Sequence, residues 1–351
     1  MKIVFVVPDM AGGGSERVIS LLANEFVKRG ISTAILSFAG HQQAYPLDPK
    51  VETVSAGDAS GGSMKVRLKR LAFMRDYFRK NRDCTIFSFS TYGTGFVVLS
   101  TLFMKRNMLV SERIDPRSCD HKAYRDFFYQ FAYRLVCQTE EAVTCFPEKI
   151  RKKACVIGNP LDGAVPEPFE GPRRRSVSTI GRLEDQKNHR LLIEAFSIFN
   201  RQFPGYTLDI YGKGILEGEL KELAKKKGLE KQVVFHGFCS SAREEIRDSA
   251  MFVLSSDYEG ISNSMLEAMA MGIPVISTDC PIGGSRTSIR DGVNGLLVPM
   301  KDADALAGAM ERVAGDPDLA QKLSENARKI RRECTVEKIA DLFLEAAKRG
   351  D

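Results

Sequence analysis

Residues 3–38 read IVFVVPDMAGGGSERVISLLANEFVKRGISTAILSF and contain a strand, a helix and a second strand in succession. The β-branched and apolar run at 3–7 predicts a buried parallel strand. A glycine-rich turn follows, and apolar residues then recur at helical spacing up to about residue 29, where Gly30 ends the helix. A further apolar strand is predicted at 33–38. These elements together form a βαβ unit, which is the building block of a parallel sheet.

The same alternation continues along the chain. In the first half it predicts strands at 85–89 and 108–110 and helices at 66–80 and 123–134. Residues 158–175, GNPLDGAVPEPFEGPRRR, interrupt it with the proline and glycine content of a linker. Beyond this segment the predicted strands are 176–180, 207–211, 233–235, 252–255 and 274–277, and the predicted helices are 188–202, 216–227, 303–314, 317–330 and 335–348.

This alternation on both sides of a linker indicates an α/β fold with two doubly wound parallel sheets. We predict two Rossmann-like domains that face a cleft, and ligands of such sheets bind at the carboxyl ends of the strands. The last helix is expected to return to the N-terminal domain. The predicted organisation is an N-terminal domain at 1–157, a linker at 158–175, a C-terminal domain at 176–334 and the returning helix at 335–351.

The charge of the chain is unevenly distributed. The net charge is +6, but residues 1–175 hold 27 basic and 18 acidic residues, whereas the remainder holds 24 and 27. An anionic partner of the N-terminal part is therefore expected. The longest weakly polar run, at 93–104, has 12 residues, which is short of the roughly 20 needed to span a bilayer. The N-terminal apolar run is also too short for a signal peptide, so we expect a cytoplasmic protein, at most peripheral on the inner face of the plasma membrane.

Two segments that follow predicted strands carry candidate phosphate-binding groups. The turn DMAGGGSER lacks the G-x-G-x-x-G fingerprint of dinucleotide enzymes, which disfavours an NAD oxidoreductase. Its glycines either admit a phosphate at a helix N-terminus or only form a tight turn. In STIGRLEDQKN, Arg182 and Lys187 follow a strand. A guanidinium fork and an ammonium group suit a diphosphate, although these two residues taken alone are more typical of solvated surface charges.

The stretch YEGISNSMLE places Glu259 and Glu267 eight residues apart. Ser264 and Glu267 fit a capping box, in which the glutamate is only a structural cap. The helix that follows is apolar on every face, however, and such a helix is buried. A carboxylate at its start must meet a cap or a polar cleft, where it could hold the vicinal hydroxyls of a ribose. Glu259 lies in the preceding loop and could hold a second hydroxyl-rich group, so a nucleotide sugar is the predicted ligand.

These segments occur together in one family. The chain resembles the family 4 retaining glycosyltransferases of the two-Rossmann (GT-B) type through GRLEDQKN, YGKGILEGEL, FHGF, the E-x7-E motif YEGISNSMLE, GIPVIST and DGVNGLLVP, and also through GGSERV. SERIDP at 111–116 is similar to the branch of polyprenyl-diphosphate-oligosaccharide N-acetylgalactosaminyltransferases. The resemblance implies transfer of a hexose or N-acetylhexosamine, from UDP-GalNAc or UDP-GlcNAc, onto a glycan or lipid-linked acceptor in cell-surface polysaccharide assembly.

The resemblance also implies roles for single residues. Arg182 and Lys187 match the catalytic pair that holds the donor diphosphate and stabilises the departing nucleotide. Glu259 matches the catalytic glutamate that contacts the donor sugar, and Glu267 matches the glutamate that binds the ribose. The other implied donor-binding residues are Gly13, Gly14, Ile261, Ser262, Asn263 and Ser264.

The family's histidine after the fourth strand is absent, and Glu112 and Arg113 occupy that segment as candidate acceptor contacts. No general base is therefore assigned, and the leaving diphosphate is the expected acceptor of the proton. The D-x-D patterns at 302–304 and 316–318 precede predicted helices, where aspartate is an ordinary cap. We expect no metal ion and no other cofactor, because basic side chains offset the diphosphate.

The segment at 63–82 carries eight basic residues and one acidic residue. Leu68, Leu71, Met74 and Phe78 trace one face of its predicted helix, so it either packs on the core with a solvated back or lies against anionic lipid or a diphosphate-linked acceptor. The candidate acceptor or membrane contacts on this helix are Lys65, Lys69, Arg70, Arg75, Arg79 and Lys80.

Two other functions remain alternatives to the transferase, namely an epimerase-like sugar-nucleotide enzyme and a non-catalytic nucleotide-sugar-binding subunit. No nucleic acid partner is expected.

Overall fold

The computed structural model describes residues 1–40, 42–57 and 63–348. The chain divides into two compact units, of which the first combines Met1–Pro160 with the segment from Cys334 onwards and the second is Leu161–Glu333. The last three residues of the expected C-terminal segment 335–351 lie outside the described residues. Each unit contains one parallel sheet, which confirms the predicted α/β class.

The described part of the first unit has a seven-stranded parallel sheet. Its strands are β1 (Lys2–Val7), β2 (Ser32–Ser37), β3 (Glu52–Ser55), β4 (Cys84–Ser88), β5 (Asn107–Ser111), β6 (Arg134–Cys137) and β7 (Ala154–Val156). Their order in the sheet is β3-β2-β1-β4-β5-β6-β7. The helices are α1 (Gly14–Lys28), α2 (Met64–Lys80), α3 (Thr91–Ser100), α4 (Lys122–Tyr129), α5 (Glu140–Thr144) and α6 (Glu148–Arg151).

A last helix, α15 (Val336–Ala347), completes this unit beside α1. Phe343 stacks on Phe89 with ring centroids 6.1 Å apart and contributes to the same apolar core as β1 and α1. At the surface, the Arg29 guanidinium donates to the Glu337 carbonyl at 2.9 Å and pairs with Asp341. An apolar face and a charged edge thus fix this helix on the first unit.

The described part of the second unit has a six-stranded parallel sheet in the order β10-β9-β8-β11-β12-β13. Its strands are β8 (Arg174–Ile180), β9 (Thr207–Tyr211), β10 (Val233–Gly237), β11 (Ser249–Leu254), β12 (Val275–Thr278) and β13 (Leu296–Val298). The helices are α7 (His189–Gln202), α8 (Glu217–Lys226), α9 (Ala242–Ile246), α10 (Asn263–Ala270), α11 (Gly284–Ser288), α12 (Ala303–Gly315), α13 (Pro317–Ala327) and α14 (Ile330–Glu333).

Most of the segment expected to be a linker packs on the second unit. The Arg331 guanidinium donates to the Pro166 carbonyl at 2.9 Å, and Arg247 donates to the Glu167 carbonyl at 2.7 Å. The strand β8 already begins at Arg174. The prolines and glycines of this segment prevent a regular helix or strand, so its backbone carbonyl groups need other hydrogen-bond donors. The two arginine side chains of the second unit supply them.

Several short elements were not predicted from the sequence. The strands β3, β6, β7 and β13 have three or four residues each, which is too short to show a periodic pattern. The predicted helix at 123–134 ends at Tyr129, because the chain then forms β6. Among the described residues, no helix combines the length and the apolar character needed to cross a bilayer.

Candidate active site

The second sheet has a topological switch point between β8 and β11. These two strands are neighbours, but the chain leaves β8 towards β9 on one side and leaves β11 towards β12 on the other. Two loops therefore diverge at the carboxyl edge of the sheet, where open α/β sheets bind their ligands. The loops are residues 181–188 and 255–262, and they hold most of the predicted donor-site residues of this unit.

The two loops are joined by side chains from both. Lys187 Nζ and a carboxylate oxygen of Glu259 form an ion pair, and each side chain is only 14% exposed. Gln186 Nε2 donates to the Tyr258 carbonyl at 3.1 Å, and Ser255 Oγ donates to the Lys187 carbonyl at 2.9 Å. The structure thus brings two of the three predicted catalytic residues together and holds them in fixed positions.

Arg182 lies apart from this pair. Its side chain is 65% exposed and forms an ion pair with Glu184 at 3.3 Å. An exposed pair of this kind contributes little to stability. The guanidinium can therefore turn towards an anion at the edge of the sheet at little cost.

The alternative in which Ser264 and Glu267 form a capping box is wrong. Ser262 caps α10, because its Oγ accepts a hydrogen bond from the Met265 N–H at 3.4 Å. Ser264 already lies inside the helix, and its Oγ donates to the Ile180 carbonyl at the end of β8, 3.1 Å away. This bond ties the first turn of α10 to the switch point. Glu267 therefore lies in the second turn of α10.

Glu267 is buried at 4% exposure beside a positive charge. Burial lowers the pKa of Arg243, but the nearby carboxylates of Glu267 and Asp162 outweigh burial and raise it. Arg243 also donates to Asp162 at 2.9 Å. Sequence reasoning missed Arg243, because it lies on α9 and no motif connects α9 with α10.

A third loop, after β12, packs on the Glu259 loop. The Glu259 N–H donates to the Pro281 carbonyl at 3.1 Å. A Cβ atom at Gly284 would overlap the carbonyl oxygen of Gly260 and also approach the Ile261 nitrogen at 3.0 Å. Gly284 therefore permits close backbone contact behind the donor-site loop. Ile261 and Ser262 are buried here and Asn263 is half-buried.

In the first unit, Gly13 and Gly14 lie at the corresponding switch point. They follow β1, which neighbours both β2 and β4. Gly13 is the N-cap residue of α1 and Gly14 is its first residue. The N–H groups at the start of this 15-residue helix therefore point out at the carboxyl edge of the first sheet.

Glu112 is buried and Arg113 is half-buried. Glu112 accepts a hydrogen bond from the Tyr129 hydroxyl at 3.1 Å, and burial raises its pKa against the opposing effect of Arg125. Burial lowers the pKa of Arg113 to about 9. The Arg113 guanidinium donates to the carbonyls of Ile157 and Gly158 at 3.3 Å, so it holds the chain after β7. Contact of either residue with an acceptor stays a prediction.

The two D-x-D patterns are helix caps, as predicted. Asp302 Oδ1 accepts from the Ala305 N–H at 2.8 Å, and Asp316 Oδ1 accepts from the Leu319 N–H at 2.9 Å. In the described parts of the chain, no group of three or more His, Cys, Asp or Glu residues is arranged to hold a metal ion.

The basic helix α2 is only partly buried. Met74 and Phe78 are in the core, but Leu68 is 57% exposed, so the predicted apolar face does not pack along its whole length. Lys80 pairs with Asp76 at 2.7 Å, and Arg75 donates to the Ser100 carbonyl at 3.3 Å. Of the remaining candidate contacts, Lys65, Lys69 and Arg79 are exposed and Arg70 is half-buried.

Residues 167–330 match the family described as Glycosyl transferases group 1. These residues make up nearly all of the second unit. The second unit is a group 1 glycosyltransferase domain.

Relatives of this domain extend the comparison to the remainder of the chain. EpsD of Bacillus subtilis is 37% identical over 161 residues, which are 45% of this chain and 42% of EpsD. The chain thus matches less than half the length of that relative. An alpha-1,4-N-acetyl-D-galactosaminyltransferase of Campylobacter jejuni, named for a diNAcBac-PP-undecaprenol-linked substrate, is 24% identical over 356 residues, 98% of this chain and 97% of that protein.

Solved structures share the fold of both units. Anabaena HepE, crystallised in complex with UDP and glucose, has a TM-score of 0.86 at 18% identity, with 98% of each chain covered. The two-sheet architecture is that of the GT-B glycosyltransferases. The chain thus combines a group 1 glycosyltransferase domain with the two-sheet fold of these structures.

Proposed function

We propose that the protein is a retaining glycosyltransferase of glycan assembly that uses a UDP-sugar. The proposed donors are UDP-GalNAc and UDP-GlcNAc, and the proposed acceptor is a glycan carried on a lipid diphosphate. The observation that carries this proposal is the Lys187–Glu259 ion pair at the switch point of the group 1 domain. The names of the Campylobacter relative and the HepE complex support the sugar and nucleotide classes.

The reaction breaks the bond between the anomeric carbon and the β-phosphate oxygen, and that oxygen keeps the electron pair. The acceptor hydroxyl oxygen forms the new bond on the same face of the sugar. Its proton passes to the departing phosphate oxygen, so that glycosylated acceptor and UDP are the products. The protein must therefore stabilise negative charge on the diphosphate as it leaves, which is the electrostatic contribution that fixed donors supply best.

Lys187 and Arg182 supply that charge in complementary ways. Lys187 is held at the switch point by Glu259, so its ammonium group is oriented before the donor arrives. Arg182 is exposed and adapts to the bound diphosphate with its two-pronged guanidinium. Glu259 presents its remaining acceptor capacity to hydroxyls of the donor sugar. Because these side chains carry the charge balance, the proposal requires no divalent ion.

The nucleotide is held by the start of α10 in this proposal. Ser262 and Ser264 lie at this end of the helix with their hydroxyl oxygens 3.1 Å apart, and the first N–H groups of the helix bind the phosphates. Glu267, which lies in the second turn of α10, accepts hydrogen bonds from the ribose hydroxyls. Arg243 beside it lowers the repulsion between this buried carboxylate and a phosphate.

Thermal unfolding with UDP-, GDP- and ADP-sugars tests the donor first. A ligand at 100 times its dissociation constant adds about 2.7 kcal/mol to the free energy of unfolding. We expect protection by UDP-sugars and unchanged protection in the presence of EDTA. In Lys187→Ala and Arg182→Ala, the transfer rate should fall by about a hundred-fold or more.

Release of UDP that depends on an added acceptor then separates the three candidate functions. Release or isomerisation of the donor without an acceptor would indicate an epimerase-like enzyme. Donor binding with no turnover on any lipid-linked glycan would indicate a non-catalytic subunit. An absolute requirement for magnesium or manganese would contradict the assigned roles of Lys187 and Arg182.

A further inference from the structure

The helices α2, α3 and α4 of the first unit pack side by side. Large apolar side chains that remain exposed are concentrated on these helices and on the turn after α3. Such a concentration marks an interaction surface, whereas single exposed apolar residues do not. We call this the helix-layer surface, and its exposed apolar residues are Met64, Leu68, Tyr92, Leu99, Leu102, Phe103, Phe127 and Phe131.

Phe103 is the most prominent of these residues. It is fully exposed, and its backbone has a φ of 65°, which turns the chain sharply after α3. Arg75 Nη1 donates to the Leu102 carbonyl at 3.5 Å, and Arg106 Nη1 donates to the Thr101 carbonyl at 3.2 Å. The turn that presents Phe103 is therefore held from both sides by arginines.

Arg106 also connects this turn with α4. Its guanidinium lies 5.8 Å from the centre of the Phe131 ring, and the Phe131 and Phe127 rings are 5.6 Å apart. Arg106 thus connects the turn after α3 with a pair of aromatic rings at the end of α4. Aromatic rings beside basic groups are the combination found at the boundary between lipid headgroups and acyl chains.

The charge around these apolar residues has one sign. Segments 63–75 and 84–111 contain no Asp or Glu. Of the acidic residues nearby, Asp76 pairs with Lys80 at 2.7 Å and Asp126 pairs with Arg125 at 2.8 Å, while Asp83 follows α2. A second copy of this chain would oppose positive charge to positive charge across a two-fold axis. The basic residues of the two segments are Lys65, Arg67, Lys69, Arg70, Arg75, Lys105 and Arg106.

We infer that the helix-layer surface docks on an anionic phospholipid bilayer. Phe103 and Leu102 enter the boundary between headgroups and acyl chains, and the exposed Lys65, Arg67, Lys69 and Lys105 meet the lipid phosphates. The sequence alone pointed to the charges of α2, whereas the structure adds the turn after α3 and the end of α4. This inference concerns the first unit and is independent of the proposed donor site.

Sedimentation with vesicles of phosphatidylglycerol and phosphatidylcholine measures the docking. Phe103→Ser should weaken binding by at least about ten-fold, because an exposed Phe that becomes buried contributes about 1.5–3 kcal/mol. Lys69→Glu combined with Lys105→Glu should weaken it by at least about twenty-five-fold, since each basic residue near the surface contributes a factor of about five. Binding of the wild type should fall steeply as salt rises.

Matched controls lie in the second unit. Ile215→Ser replaces an equally prominent exposed apolar residue, and Lys225→Glu with Lys226→Glu reverses two charges on α8. Both should bind vesicles like the wild type. All variants should bind UDP normally, so a failure of the donor-site proposal is measured separately.

Three results would overturn the inference. One is vesicle binding by Phe103→Ser that equals that of the wild type. Another is wild-type binding that is unaffected by salt or equal on pure phosphatidylcholine. A third is a wild-type dimer in sedimentation equilibrium that Phe103→Ser converts to a monomer, which would identify a second copy as the occupant of this surface.

Discussion

Lys187 and Glu259 are 72 positions apart in the chain, and their side chains form an ion pair at the carboxyl edge of the second sheet. Neither side chain is fully buried, but both lie in loops that further hydrogen bonds connect. Replacing one of the two residues by a neutral one therefore leaves the other as a poorly solvated, unpaired charge. Replacing both residues leaves no such charge.

A double-mutant cycle on this pair measures their coupling. We expect Lys187→Met to lower the free energy of unfolding of the second unit by more than the combined variant Lys187→Met with Glu259→Gln does, because the Glu259 carboxylate is uncompensated in the single variant. Urea unfolding of the four proteins gives the coupling energy. The exposed pair Lys152–Glu148 is the control, with an expected coupling of about 0.3–0.5 kcal/mol. Equal coupling in the two pairs would contradict this expectation.

Glu267 and Glu259 are expected to act on different steps. Glu267→Gln should weaken UDP binding by about 1.5–3 kcal/mol, because a charge-assisted hydrogen bond to the ribose is lost, whereas Glu259→Gln should mainly lower turnover. Calorimetric titration with UDP and initial rates separate the two effects. Asp302→Ala is the control, since it removes a true helix cap and should cost about 1 kcal/mol of stability with unchanged affinity. Normal affinity in Glu267→Gln would show that this glutamate is structural.

The long elements of this fold follow directly from the sequence. The strand β9 has the predicted bounds Thr207–Tyr211, because four of its five residues are apolar, aromatic or β-branched and turn signals lie on both sides. The helix α1 was likewise predictable from its apolar face and Gly30. In both elements the local sequence pattern agrees with the packing of the element in its unit.

The start of α10 and the packing of α3 were not predictable in this way. Ser264 matched a local capping rule, but its hydroxyl bonds to Ile180, 84 positions away, and the helix begins two residues earlier. The helix α3 contains Gly95, where a Cβ atom would overlap the Tyr124 hydroxyl of α4. A glycine lowers the helix propensity of this segment, but it also permits the close packing of α3 against α4. The helix therefore forms because of a tertiary contact that the local sequence does not show.

Gly284 is predicted to hold the donor-site loop in place. Gly284→Ala should displace the backbone around Gly260 and so lower both stability and UDP affinity. Gly308→Ala is the control, because no contacting atom lies within 4 Å of a Cβ added there. This substitution should raise the free energy of unfolding by about 0.5–1 kcal/mol, since alanine favours the helix α12 more than glycine does. Urea unfolding and UDP titration of both variants measure the effects. Unchanged UDP affinity in a destabilised Gly284→Ala would mean that this loop does not position the nucleotide.

His189 is expected to make the stability of the second unit sensitive to acid. Its side chain is buried at the start of α7, and burial, with a smaller effect of the Lys187 ammonium, lowers its pKa from an ordinary 6.5 to about 4. The unfolded chain takes up this proton near its ordinary pKa, whereas the folded chain takes it up only near pH 4. The free energy of unfolding should therefore be highest at neutral pH. It should fall as the pH decreases from 6.5 to about 4 and level off at lower pH.

The decrease in the free energy of unfolding that His189 causes on acidification should be about 3 kcal/mol at most. His189→Gln removes the titrating group, so its free energy of unfolding should change less between about pH 7 and pH 4 than that of the wild type. His121→Gln in the first unit is the control for replacing an imidazole by an amide, because His121 is exposed. Urea unfolding at a series of pH values, followed by hydrogen exchange of the α7 amides, reports on the second unit alone. Parallel profiles for the wild type and His189→Gln would show that His189 is not the source of the acid sensitivity.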